Sequence, residues 1–415
     1  MARNPSSPAT ERPPRILWAS AYCLLDSSSG AALTVRQMLV QLQARGYDIA
    51  ILGATHFDSE NGTASLQPHW ATIQAHRHKL IDIRDNDGLL HYLLVTDHLK
   101  RDRMSSREES LWFRHYGKML EEYRPDLVFF YGGQPLDLLF ASEARAAGIP
   151  TAFYLANGNY HGKRWARDVN LILTDSQATA RLYQTRSRIT AKPIGAFIDP
   201  TKVIAETHHR QHVLFINPSA PKGALIVAKL AMMLEKTRPD IQFEVVESRG
   251  NWQRHVQMLT GAAGTPRDHL DNVILTPNTP DMRPIYGRAR LLLAPSLWWE
   301  SAGRVLVEAM LNGIPAITTN RGEPPEMVGE GGVLLTLPDE CHEKPYLTLP
   351  GEAVMHELAE TVTRFFDDEA FYAAYAERAR ETGQTRHHLT TSTDRLIDAL
   401  RPWLKRGRAA ERRRD

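Results

Sequence analysis

The sequence predicts an α/β protein built as two doubly wound halves facing each other across a cleft. Three observations carry this. Short apolar runs alternate with helical periodicity from residue 15 to about 200, and the alternation starts afresh at His212. A hydrophilic run, Glu206 to Gln211, separates the two series. The length of 415 residues suits two domains, at the usual ~150 residues each. With 42 % hydrophobic and 24 % charged residues the chain reads as globular, and a net charge of +2 gives no bulk argument for nucleic acid as a partner.

Arg15 to Ser20 reads as a buried first strand, followed by a polar loop, Asp26 to Ala32. Leu33 to Ala44 has helical period and is closed by Arg45-Gly46; Asp48 to Leu52 is the next strand. The loop therefore lies at the carboxyl end of a strand, where α/β sheets bind ligands. It lacks G-x-G-x-x-G, and Ser29 equally fits a plain helix cap. Residues 55–110 give weaker signals: Leu89 to Val95 alternates, Asp85-Asn86-Asp87-Gly88 reads as a hairpin turn, and Ser110 to Arg124 as an amphipathic helix. His69, His76, His78, His91 and His98 lie here without metal-ligand spacing and read as surface or loop residues. Strands at Leu127 to Tyr131, Ile149 to Leu155 and Val169 to Thr174 alternate with helices at Pro135 to Ala147 and Gln177 to Tyr183, the last capped by Asp175-Ser176.

The second series runs through strands at His212 to Ile216, Phe243 to Val246 and Val273 to Leu275, with helices at Ala224 to Lys236, Trp252 to Leu259 and Asp281 to Arg288. It leads into residues 291–329, LLLAPSLWWESAGRVLVEAMLNGIPAITTNRGEPPEMVG. Here Leu291 to Leu293 is a strand, Ala302 to Leu311 a helix stopped by Asn312-Gly313, and Ile314 to Thr318 a strand. After Gly332 the chain reads as mostly helical, with a helix from Thr391 to Leu404. The organisation expected is a disordered leader (1–14), two Rossmann-like domains (15–203 and 204–388), a closing helix (389–404) and a basic tail (405–415).

Two cysteines, Cys23 and Cys341, give no disulfide framework and suit a reducing cytoplasm. No apolar run approaches 18 residues and the first residues lack the apolar core of a secretory signal, so a cytoplasmic protein is expected. Six basic residues between Lys405 and Arg414 read as a solvated tail, or as a peripheral contact with anionic lipid at the inner face of a membrane, where each basic side chain gains about 1 kcal/mol.

Residues 291–329 also carry the strongest functional signal. Glu300 lies just before a helix and Glu308 eight residues on, inside it, about 12 Å further along the axis. Between them, free N–H groups and the positive dipole end favour an anion, and Gly303 lets a ligand approach the backbone. A sugar, a diphosphate and a ribose in that order would meet one carboxylate, the helix start and the other carboxylate. Taken alone, such a pair is more often a helix cap and an exposed helix residue.

The surrounding letters tip the balance. PSLWWESAGRVLVEAMLNGIPAIT, with GEPPEMVGEGGVLL after it, resembles the donor-site signature of retaining glycosyltransferases of the group 1 type (glycosyltransferase family four, GT-B fold). The resemblance implies two facing Rossmann-like domains with an interdomain cleft and a last helix returning to the first domain. It gives Lys222, in a Lys-Gly pair, the diphosphate, and Glu300 the sugar hydroxyls. The N–H groups of Gly303, Arg304 and Val305 would bind sugar and phosphate, Glu308 the ribose, and Asn278 and Thr279 the base. Asn217 stands where the family usually has an arginine, with Arg304 the preferred substitute and Arg249 a second. Ala156 stands where many relatives place a histidine, with Tyr160 or His161 as stand-ins. Ser29, Gly30, Gly133 and Asn157 would complete the acceptor-side or phosphate loops.

What the resemblance implies chemically is transfer of a hexosyl group from a UDP- or GDP-sugar to an acceptor hydroxyl, with retention and in glycan or glycoconjugate biosynthesis. Neither metal nor cofactor is implied, and the acceptor is not indicated. Asn217 and Ala156 also admit a non-catalytic nucleotide-sugar-binding partner, and the fold admits a nucleotide-sugar epimerase.

Overall fold

A computed structural model describes residues 12–411 apart from Pro68, Arg249 and Ala302, and side chains as far as Lys405. Most of the expected leader, the last four residues of the basic tail with the side chains beyond Lys405, and the candidate Arg249 thus lie outside the described residues. Within the leader, Arg12 pairs with Asp126 at 2.9 Å and the Pro14 carbonyl accepts the Asp48 N–H, so residues 12–14 belong to the fold.

The first sheet contains β1 (Arg15–Ala19), β2 (Asp48–Ala54), β3 (Leu80–Arg84), β4 (Leu90–Leu94), β5 (Leu127–Phe130), β6 (Thr151–Tyr154), β7 (Leu171–Thr174) and β8 (Lys192–Pro193). Their order is β3-β4-β2-β1-β5-β6-β7-β8, with only β3 antiparallel to its neighbour. The second contains β9 (His212–Ile216), β10 (Phe243–Val246), β11 (Val273–Thr276), β12 (Ala289–Ala294), β13 (Ala316–Thr319) and β14 (Gly332–Leu335), ordered β11-β10-β9-β12-β13-β14 and parallel throughout. Every residue of β5, β6, β10 and β13 is buried, as parallel strands covered by helices on both faces require. This is the GT-B architecture.

Several expectations needed correction. β14 lies in the stretch read as helical; it is a four-residue edge strand with Leu334 43 % exposed, too short to show alternation. The helix expected from Ser110 begins at Ser106, because Ser105 and Glu108 cap it reciprocally. His91 is fully buried, its ring bonded to Asp85 at 3.0 Å, where a surface residue was expected. His78, Asp97 and Glu108 bring donor atoms within 4.8 Å of one another. Both Glu108 oxygens there already accept N–H groups, from Ser105 and Asp97.

The last helix, Leu389–Glu411, runs beyond its expected end at Leu404. It returns to the first domain, packing Leu396, Ala399 and Leu400 with Trp18, Val35 and Leu39. Residues 198–205 make the opposite crossing: Ile198 and Val203 join the core of the second domain, and Asn312 binds Val203 O and Ala205 N at 3.0 and 2.9 Å. No helix among the described residues is long and apolar enough to cross a membrane.

Candidate active site

Two loops at the carboxyl ends of β9 and β12 are locked together. Gly223 has φ +82°, and a Cβ there would lie 2.3 Å from the Pro295 carbonyl, so only glycine allows this approach. The Pro221 carbonyl accepts the Leu297 N–H at 2.8 Å. From the other side Gly322, at φ +101°, lies where a Cβ would meet the Glu300 carbonyl at 2.2 Å. The Glu300 carbonyl accepts the Glu323 N–H at 2.9 Å. Glu300 is thereby fixed in position before any ligand arrives.

Glu300 is 5 % exposed. Its Oε1 accepts hydrogen bonds from the Ser296 hydroxyl (2.6 Å), the Trp298 indole (2.7 Å) and the Lys222 ammonium. Burial pushes its pKa up, but the Lys222 charge and these hydrogen bonds outweigh burial and hold it below the usual carboxylate range. All three donors converge on one oxygen, which leaves the capacity of Oε2 for another hydroxyl. Lys222 also lies 5.2 Å from the centre of the Trp298 ring.

Helix Arg304–Leu311 starts beside this pair, with Gly303 at its cap position. Arg304 reaches one turn along it to Glu308 at 2.8 Å and across the domains to the Phe197 carbonyl at 3.3 Å. Glu308 also accepts the Tyr286 hydroxyl at 2.5 Å. Arg304 therefore faces the site as a tethered cation. Asn217 adopts φ +63°, and its buried Oδ1 has no partner among the described residues. It supplies hydrogen-bonding capacity where a charge was expected.

These groups line one cavity of about 1290 Å³ between the domains, above the ~300–1,000 Å³ usual for a single small ligand. Lys222, Asn217, Asn278, Thr279, Glu300, Gly303, Arg304, Val305 and Glu308 line it from the second domain, and Ser29, Gly30, Gly133, Ala156, Asn157 and Tyr160 from the first. Ser29 also caps the helix Gly30–Ala44, so both of its readings coexist. His161 is the exception: it is exposed and off the cavity wall. Tyr160 turns inward because its ring packs on Phe153 and Trp165, and the following residue is carried outward.

Sequence reasoning missed Ser296, Trp298 and Tyr286. Trp298 and Ser296 stood within four residues of Glu300 and were findable as its donors; Tyr286 is 22 residues from Glu308, and only the fold joins them. It also missed the seam behind the cleft. There Glu323 of the second domain, 1 % exposed and with no hydrogen-bond partner on either oxygen among the described residues, faces Asp175 of the first. Burial, then the Asp175 carboxyl, raise the Glu323 pKa well above normal; the Gly303 N–H tempers this without making a hydrogen bond. Asp175 is likewise raised by burial, against the lowering effect of the Tyr154 hydroxyl, which donates to it at 2.7 Å, and of Arg304.

Residues 205–382 match the family described as glycosyl transferases group 1. Over 132 residues the chain is 29 % identical to spore coat protein SA of Bacillus subtilis (strain 168), which is 30 % of this chain and 34 % of that relative's length. Among solved structures, sucrose-phosphate synthase of Thermosynechococcus elongatus superposes with a TM-score of 0.68 at 14 % identity, over 95 % of this chain and 100 % of that one. HepE of Anabaena, solved with UDP and glucose, gives 0.66 at 18 % identity over 94 % and 99 %. A trehalose-phosphate synthase of Burkholderia vietnamiensis gives 0.60 at 15 % over 94 % and 100 %.

Proposed function

We propose, from the premise that this chain is a group 1 glycosyltransferase of GT-B fold, that it moves a hexosyl group from a nucleoside diphosphate sugar to an acceptor hydroxyl with retention of configuration. The observation that carries this is the fixed Glu300–Lys222 pair at a helix start on the cleft wall. In this reading Glu300 Oε2 accepts the sugar hydroxyls. Lys222 and the N–H groups of Gly303, Arg304 and Val305 hold the diphosphate. Glu308 takes the ribose, and the backbone at Asn278 and Thr279 meets the base. The acceptor oxygen bonds to the anomeric carbon as that carbon's bond to the diphosphate breaks. The acceptor proton passes to the departing phosphate, and Lys222 with the helix start stabilises the negative charge it gains. HepE, solved with UDP-glucose, supports a UDP-sugar as the donor to try first, ahead of GDP-sugars. Glycan or glycoconjugate synthesis, in the cytoplasm, is the setting this chemistry fits.

The test is a thermal-shift screen over UDP, GDP, ADP and their sugars, followed by donor hydrolysis without acceptor. A ligand at 100-fold its Kd stabilises by about 2.7 kcal/mol. Stabilisation by one nucleotide and slow release of it from its sugar are expected, with Glu300→Gln lowering that release about 10²–10³-fold, the scale for loss of one fixed polar contact. Binding without release would leave a non-catalytic sugar-nucleotide binder. Full release by the variant would remove Glu300 from the mechanism.

A further inference from the structure

Residues 298 and 299 are both tryptophan, and they serve different neighbours. Trp298 donates to Glu300 Oε1 within its own domain. Trp299 crosses the cleft. Its ring lies against Gly158, in the loop 156–160 of the first domain. A Cβ on that glycine would be 2.9 Å from Trp299 Cδ1, 3.2 Å from its Cγ and 3.3 Å from Leu182 Cδ2. Leu182 belongs to the helix Gln177–Ser187, so the ring sits in a notch made by two first-domain segments. The φ of Gly158 lies outside the left-handed region, so the notch, and not the backbone, calls for glycine here.

The loop is braced from behind. The Tyr183 hydroxyl accepts the Tyr160 N–H at 3.0 Å and donates to the Asn157 carbonyl at 2.9 Å. The Asn157 side chain accepts the Asn159 N–H at 3.0 Å. Asn157 and Tyr160 line the cavity, as do Trp299 and Glu300. The ring therefore spans the gap between a fixed acceptor-side loop and the fixed Glu300. Its Nε1 is buried with no partner among the described residues. An unpaired buried N–H disfavours the placement, so what seats the ring is contact of its carbon atoms.

We propose that Trp299 is a positioning residue: seated on Gly158, it closes the wall beside the donor sugar against water. This rests on the glycosyltransferase reading. Water is the competing acceptor in that reaction. Its oxygen would bond to the anomeric carbon as that carbon's bond to the diphosphate breaks, and its proton would pass to the departing phosphate. A ring spanning the gap favours an acceptor held in the cavity over water.

The experiment measures hydrolysis of UDP-glucose, with GDP-glucose alongside, in the absence of acceptor. It compares wild type, Trp299→Ala, Gly158→Ala and the double variant, with nucleotide affinity as the control for folding. Trp299→Ala is expected to raise the hydrolysis rate severalfold at unchanged nucleotide affinity, whereas a residue needed only for folding or donor binding would lower it. Gly158→Ala sets a methyl group against the ring. It should raise the rate while Trp299 is present and add nothing once Trp299 is alanine. Trp299→Phe keeps counterparts of Cγ and Cδ1 and drops the unpaired N–H, so it should bring the rate back close to wild type. Hydrolysis lowered or unchanged by Trp299→Ala, or a Gly158→Ala effect equal in both backgrounds, overturns the proposal while leaving the transferase reading in place. Absence of donor hydrolysis in every variant would sink that reading, and this role with it.

Discussion

Glu300 and Glu323 are buried carboxyls from one segment of the second domain, 5 % and 1 % exposed, and their surroundings are opposite. Glu300 gives one oxygen to an ammonium, a hydroxyl and an indole N–H. Glu323 gives neither oxygen to any hydrogen bond among the described residues and faces a second buried acid. A carboxylate buried without partners is neutralised instead of staying ionised. The cleft therefore presents an anion prepared by its own domain, while the seam behind it holds a proton only as long as the two domains stay together.

The largest effect should come from breaking the prepared side. Lys222→Met removes the cation from Glu300 and, in the proposed reaction, from the leaving diphosphate as well. Turnover of the donor is expected to fall about 10²–10³-fold. Thermal stability should also fall, by less than the ~3–5 kcal/mol seen when one partner of a buried ion pair is removed, because Lys222 is 22 % exposed. Activity assays and melting curves read the two separately; wild-type turnover would show that the diphosphate is held elsewhere.

The seam should respond in the opposite direction, and to pH. Glu323 has a folded pKa above its unfolded value, so the folded state binds more protons above about pH 4. Stability from this site is then lost as pH rises. Glu300, with a lowered folded pKa, contributes stability above that pH and loses it as pH falls. Glu323→Gln removes the rising cost and should stabilise the protein by about 1–3 kcal/mol at pH 8, the range for an unsatisfied buried polar group, and by almost nothing near pH 4. Melting curves at the two pH values check this. Equal shifts at both would mean the gain comes from packing.

The two acids also mark what could be read from the sequence. Both stand in a loop just before a helix, and nothing local tells them apart. The alternation of apolar runs and the glycine and proline stops were legible because they reflect local backbone physics. Glu300 was legible only through the resemblance of the block that holds both acids, which assigns a role to Glu300 and none to Glu323. Glu323 was not, because what decides its state is Asp175, 148 residues away in the other domain. The same holds for Tyr286 beneath Glu308.

The smallest effect belongs to a second acid at the seam, three residues beyond Glu323. Glu326 caps the helix Gln177–Ser187 from across the domain boundary, its two oxygens accepting the N–H groups of Gln177 and Ala178 at 3.0 and 3.2 Å. Ser176 takes the Thr179 N–H at 3.1 Å from within the first domain. Two of the free N–H groups at this helix start are therefore met only while the domains are together. When the domains part, those groups return to water, so no unsatisfied donor is left behind and the cost of losing Glu326 stays near that of an ordinary cap. Glu326→Ala should cost about 1 kcal/mol, a factor of roughly five in the closed-to-open ratio. Glu326→Gln should cost less, because it keeps an acceptor oxygen and loses only the charge facing the helix dipole. The expected readout is a weaker UDP affinity, by up to about fivefold, and a larger radius of gyration in solution scattering. If Glu326→Ala left both affinity and radius unchanged, the cap would not contribute to closure, and the pH dependence at Glu323 would then report stability alone.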